Sequence, residues 1–543
     1  MAAHIALMVL GWVFVLPVAL MLSVARSRYH LPAQIGFHVF NGLGVFTGFV
    51  YNHSTPDLYK NNSHHPIGWV VASFTIVWTL MSLFTAYGES KSQRAAVGSH
   101  PVSAGNMAQH DRYQPYVDSP VSRYSRDSGQ GTERNSASLF GSRQNSSDSL
   151  HPAKPEEPSD DPDDNEDEHQ ERHGLLGNAR VDRFLARNIS RLRTPRASKT
   201  IRVTQIVLEK LLLLLGFLAL TTGFVVYGGI FRSRAVFSGL AHFIKGGIFF
   251  WYGLLTLGRW MGAFAEFGWA WNRRPAVASR WKTRVPSAEF TESFVIWLYG
   301  ASNVFMEHLN TWGKAWSAQD LEHVSITMLF FGGGLLGMLV ESRWARRMLD
   351  TSVVVQRGDV QERGEVAEED AHLHAGADAS AADPPRWTPT VPLNPLPALT
   401  IALLGQLMSA HHQASAASTM MHAAWGKQLQ LFALARLATY ALLYLRPPTS
   451  HFASRPPSEL VAAFCLVSGG LMFMLSARDV VAAMEGNGVE AMAVFTVVLG
   501  AAGCVMAWAV GVFCVKGWAV RREKMGSAAG GVGAYRPVAA EEA

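Results

Sequence analysis

Apolar residues in this chain gather into eleven runs, at approximately 4–24, 34–51, 66–87, 206–230, 237–261, 290–309, 324–342, 395–412, 419–445, 459–477 and 488–516. A bilayer core about 30 Å thick needs roughly 20 such residues in a helix. Each run therefore predicts a membrane-spanning helix, and together they predict an all-α, polytopic bundle of about 11 spans. The clearest run, Leu211 to Ile230, carries no charge. The weakest are 34–51, short and Gly-rich, and 395–412, which opens on Pro395 and Pro397.

Two stretches lack any apolar period. Residues 88–200 are rich in Ser, Arg, Gln and Tyr and then acidic, with ten carboxylates from Glu156 to Glu171. Such a segment cannot bury a core and is expected to be disordered in the cytosol, as a solvated spacer or a tail for a cytosolic partner or kinase. Residues 351–392 form a second, acidic and Ala-rich linker. The expected organisation is a membrane segment at 1–87, the first linker at 88–200 and further helices at 201–262. Beyond a basic loop, membrane segments at 286–350 and 393–518 flank the second linker, and a cytosolic tail fills 519–543.

Composition agrees with a membrane protein. Only 16% of the 543 residues are charged, against about 25% in soluble domains. The net charge of +5 comes with no nucleic-acid motif. The three cysteines, Cys465, Cys504 and Cys514, all lie in apolar runs without CxxC spacing and read as small hydrophobes. Basic residues concentrate after odd-numbered runs: Arg26 and Arg28, Arg273 to Arg284, Arg343 to Arg347, Arg446 and Arg455, and Arg521 to Lys524. By the positive-inside rule that side is cytosolic, so the N-terminus is lumenal or extracellular and the C-terminus cytosolic. The sequons at Asn52 and Asn61 fall in an outer loop on this count. The first run lacks a positive n-region and reads as a retained anchor, not a signal peptide.

Ionisable residues in a membrane are costly and mark candidate sites. Most histidines at span ends map to the outer leaflet. Glu307 and His308 close span six, Glu322 and His323 open span seven, and His411, His412 and His422 flank the turn between spans eight and nine. Two neighbouring hairpins of this kind present up to five His and two Glu to one pocket, a donor set suited to Zn, Fe, Cu or Ni at the outer face. The competing reading is interfacial residues tolerated at headgroup depth beside an aromatic belt of Trp312, Trp316 and Trp425. Glycines at 42, 44, 48, 332–334 and 337 read as close-packing positions.

The N-terminal third, with His4-Ile-Ala-Leu-Met8, Trp12, Pro17, Arg26, His38 and His65-Pro-Ile-Gly68, resembles the cytochrome b561 / ferric-reductase-like transmembrane domain. That resemblance implies b-type haem held by histidines on alternate helices. His4 and His65 would ligate one haem, and His38 with His242, in Leu240-Ala-His-Phe-Ile-Lys-Gly246, a second. With span four in the count, His38 and His242 lie on opposite sides, which counts against the second. The rest resembles the C-terminal domain of a fungal family of yeast putative transmembrane (YTP-like) proteins, through Phe290 to Trp297, Asn303 to His308, Trp312 to Trp316, Asp320 to Ser325 and Ser409 to Gln413. Family members carry a longer, His-containing lumenal N-terminus, which implies a shortened or misplaced start here.

Three functions stand open on the sequence. One is a haem-bearing electron carrier reducing ferric or cupric ion outside, with no NAD or flavin motif to supply electrons. The second is a His/Glu-based metal-binding protein or transporter, and the third a non-catalytic membrane scaffold.

Overall fold

The computed structural model describes residues 1–56, 58–98, 195–232, 235–275, 282–307, 313, 315–342, 344–346, 348–349, 351, 393–410 and 413–530. The regular elements among them are helices: α1 (Ala2–Val24), α2 (His30–Ser54), α3 (His64–Gly98), α4 (Pro195–Gly228), α5 (Ala235–Met261), α6 (Ala288–Glu307), α7 (Ala318–Glu341), α8 (Leu396–Ala410), α9 (Ala416–Leu445), α10 (Pro457–Leu475), α11 (Arg478–Gly486) and α12 (Ala491–Gly530). Short 3₁₀ turns lie at Ala265–Phe267 and Lys282–Arg284.

Among the described residues every predicted run is helical, and eight of the helices are long and apolar enough to cross a membrane, so the count of about eleven is not confirmed. The other three runs fall short for identifiable reasons. α2 carries His30, Gln34, His38, Asn41, Asn52 and His53, and α6 carries Glu289, Thr291, Glu292, Ser293, Asn303 and Glu307. α8 has 15 residues, about 22 Å at 1.5 Å per residue, less than the hydrocarbon thickness. The predicted linkers fall mainly outside the described residues, so the expected disorder and partner tail lie there too. The described parts of 88–200, residues 88–98 and 195–200, continue α3 and open α4.

The chain divides into two compact units, Met1–Thr79 with Ile206–Ala543, and Leu80–Gln205. In the second, Gln205 bonds Ser82 and Thr85, each at 3.5 Å. In the first, α1 to α4 enclose Trp12, Leu16, Phe37, Val71, Trp78 and Leu212. A π-helical turn, Leu10–Val15, interrupts α1 just before Pro17. Proline has no N–H, so the carbonyl of Val13 loses its helical donor. The indole of Trp508 on α12 donates to it at 2.8 Å.

A larger core forms around Trp425 of α9 and Phe473 of α10, stacked 4.2 Å apart. Small residues set how closely these helices approach. A Cβ on Gly470 of α10 would lie 2.5 Å from Phe250 N on α5, and one on Gly334 of α7 would lie 2.4 Å from Trp297 N on α6. Backbones this near leave no room for a methyl group. Of the cysteines, Cys465 is buried, whereas Cys504 and Cys514 are exposed on α12.

Candidate functional site

The helix starts fix where the histidines sit. Ser317 and Asp320 form a capping box that opens α7 one turn before Glu322 and His323. Ser415 caps α9 by accepting from Ser418 N at 3.2 Å, two turns before His422. Such caps satisfy helix-end donors that would otherwise be orphaned.

His4 and His64 meet edge to face, with ring centroids 6.3 Å apart. His4 Nδ1 donates to Gly44 O at 2.7 Å. His64 Nδ1 lies 3.1 Å from Thr222 Oγ1, whose own proton goes to α4 carbonyls, so the imidazole is the donor. Both rings therefore carry their lone pair on Nε2, the tautomer that second-shell acceptors impose on metal-ligating histidines. Glycines admit the rings: a Cβ on Gly48 would fall 2.7 Å from His4 Nδ1, and one on Gly223 3.2 Å from His64 Cε1.

The expected partner of His4, His65, is turned elsewhere, accepting from Trp69 Nε1 at 3.3 Å one helical turn on. Adjacent residues on a helix point about 100° apart, so only one of His64 and His65 can face His4. His38 bonds Thr79 Oγ1 and packs against Phe37 and Trp78. His242, the other half of the expected second pair, meets His422 instead, ring centroids 6.1 Å apart, beside Phe473. His422 is buried and its Nδ1 donates to Ser418 O at 2.8 Å.

The expected outer metal site is reached only in part. Glu322 and His323 sit together on the first turns of α7. Glu307 ends α6, and His308, His411 and His412 lie outside the described residues. Among the described residues no three His, Cys, Asp or Glu side chains are placed to hold one metal ion.

Sequence reasoning missed the most heavily charged buried site. At the opposite ends of α5, α6, α9 and α10 from the histidines, Arg259 binds Glu292 at 2.6 Å and Glu289 at 3.0 Å. Arg436 binds Glu292 at 3.2 Å and lies 2.7 Å from Glu459. All five are buried, with Glu459 wholly enclosed. The ring of Trp271 lies under both guanidiniums, 4.2 Å from Arg259 and 5.7 Å from Arg436. The sequence reading passed over all five. The usable signal was their place within or at the edge of apolar runs, where ionisable groups are functional candidates by default.

A cavity of about 1080 Å³ extends between the two polar regions. His64, His323, Asn303 and Lys245 line it, as do Tyr252 and Glu292, with Phe217, Phe243, Phe249, Tyr299 and Phe473 among the apolar walls. Tyr59, in the loop between α2 and α3, closes one side and donates to Ile230 O at 2.6 Å. Burial holds its phenol above the ordinary pKa, against the opposing pull of Arg232.

Comparison with known proteins agrees with the helix pattern. Residues 215–517 match the family described as protein YTP1-like, C-terminal, and residues 1–88 match a domain of unknown function, DUF2427. An uncharacterized membrane protein of Schizosaccharomyces pombe is 34% identical over 96% of this chain and 94% of its own length. A second, from Saccharomyces cerevisiae, is 37% identical over 57% of this chain and 47% of its own. Protein YTP1 of Saccharomyces cerevisiae is 25% identical over 35% of this chain and 30% of its own. No solved structure matches. With its apolar helices and these membrane-protein relatives, the chain is a multi-pass membrane protein of the YTP1-like family.

Proposed function

We propose that the protein is a transmembrane electron carrier in which His4 and His64 ligate one b-type haem. The observation that carries this reading is the imidazole pair, 6.3 Å apart, with each Nδ1 bonded and each Nε2 left as a ligand. Two imidazoles sharing one metal through bonds of about 2.0 Å bring their ring centres to roughly 6 Å. The surroundings suit the group as well. His64 borders the apolar cavity, with Phe217, Leu218 and Phe243 along it, and its volume exceeds the roughly 300–1,000 Å³ of common cofactor pockets. Bis-imidazole ligation would supply electron transfer and not O₂ binding.

On this reading His65 is not a ligand, and His38 and His242 hold no second haem between them. On this reading α2, α6 and α8 also cross the bilayer, so the His4–His64 end faces the lumen or exterior, the C-terminus faces the cytosol, and ferric or cupric ion outside is the acceptor. The test is a reduced-minus-oxidised optical spectrum of the purified full-length protein and of His4→Ala, His64→Ala and His65→Ala. A b-type α band in the parent and in His65→Ala, absent from the other two, is expected. No band in the parent overturns the reading.

A second reading, a transition-metal site, is favoured by the His242–His422 pair at 6.1 Å, with His422 Nδ1 held by Ser418 O. Glu322 and His323 on α7, with Glu307, His308, His411 and His412, are the further ligand candidates. Stoichiometric metal that falls on His422→Ala supports it, and unchanged metal content refutes it. A protein with neither haem nor metal is left with these residues as helix-joining polar contacts.

A further inference from the structure

We propose that the large cavity is a binding site for an anionic phospholipid, entered sideways from the bilayer between α5 and α6, with the phosphate headgroup held at the α2–α3 loop. The cavity wall follows α5 from Val236 to Leu255, about 28 Å at 1.5 Å per residue. That depth is close to the roughly 30 Å of a bilayer's hydrocarbon core.

The first observation that names a lipid is where the cavity opens. Leu240, Ile244 and Ile248 on α5 and Val295 on α6 line it and are also exposed. α5 is long and apolar enough to span the membrane, so its exposed apolar edge faces hydrocarbon. An opening there admits acyl chains and excludes water-soluble ligands. At the other end the two helices are joined, where Arg259 in the last turn of α5 binds Glu289 and Glu292 at the start of α6.

The second observation is the placing of charge. Tyr59, Lys60, Asn61, Asn62 and Ser63 line one end of the cavity, and Lys245 lines it farther along α5. Among the described lining residues the single carboxylate is Glu292, at the opposite end, with both oxygens engaged by arginines. Asp479, the acid near the loop, is turned onto Phe231 N at 2.8 Å. Arg232 adds a further cation there, 5.0 Å from the centre of the Tyr59 ring. The loop end is therefore basic and rich in hydrogen-bond donors, whereas the walls between the ends are largely apolar, with Phe243, Ile248, Ile296 and Phe330 among them. This is the polarity order of a phospholipid. Lysine ammoniums attract phosphate as point charges, and basic residues at headgroup depth select anionic over zwitterionic lipids. None of the residues used here ligates the haem proposed above, so the two sites are tested separately.

The test is native mass spectrometry of the full-length protein in detergent, titrated with dioctanoyl phosphatidylglycerol, dioctanoyl phosphatidylcholine or inorganic phosphate. We expect a single phosphatidylglycerol to bind and to raise the thermal midpoint, with phosphatidylcholine clearly weaker. Lys60 is exposed in the loop, so Lys60→Ala should fold as the parent does and bind phosphatidylglycerol about fivefold more weakly. Ile248→Trp and Val295→Trp, which fill the cavity from its two walls, should each abolish binding, and Ile76→Trp, on the exposed side of α3 and outside the cavity, should not. Equal binding of the two lipids, displacement of the lipid by inorganic phosphate, or unchanged binding in both cavity-filling variants overturns the proposal.

Discussion

The imidazole of His64, and not that of its neighbour His65, faces His4, the two rings 6.3 Å apart. Gly48 on α2 and Gly223 on α4 make room for the pair. Gly48→Ala should therefore displace the His4 ring, because the new Cβ would fall 2.7 Å from Nδ1. We expect a lower thermal midpoint in detergent and loss of any cofactor bound there. Gly42→Ala on the same helix meets nothing within 4 Å and serves as the matched control.

Glu292 joins two helices by holding Arg259 and Arg436 at once. Removing one member of a buried ion pair costs about 3–5 kcal/mol because a charge is left uncompensated. Glu292→Ala should show a loss of that order in detergent unfolding. Replacing all five charged members with apolar residues of similar volume should recover much of it. Equal loss in the single and the fivefold variant would contradict this account.

Trp508 on α12 serves the carbonyl that Pro17 leaves without a donor. Trp508→Phe keeps the ring and removes the N–H. A hydrogen bond between membrane helices is worth about 0.6 kcal/mol on average and up to roughly 1.7, so a modest fall in unfolding midpoint is expected. In the Trp508→Phe, Pro17→Ala double variant the restored N–H should remove that deficit.

Gly470 lies where α5 and α10 come closest. A methyl group there would meet Phe250 N at 2.5 Å and Gly246 O at 2.6 Å, both backbone atoms that cannot swing aside. Gly470→Ala should lower folded yield and raise protease sensitivity. Gly500→Ala, with nothing within 4 Å, should leave both unchanged.

The apolar runs by themselves determined the helices, because a segment in lipid must satisfy its own backbone hydrogen bonds and remain apolar over a fixed length. Length and composition could not decide whether α2, α6 and α8 cross the bilayer, since polar residues on a helix pay no attention to sequence neighbours but depend on what packs beside them. The residues themselves marked His4, His64, His242 and His422 as ionisable groups near membrane boundaries. Their partners were decided only by tertiary structure. One residue of register separates His64 from His65 and turns the ring by about 100°, and the meeting of His242 with His422 spans 180 positions of sequence. The charged cluster was the least legible of all. Arg259, Glu292, Arg436 and Glu459 come from four helices, and only packing removed water from around them and left each as the neighbour the others required.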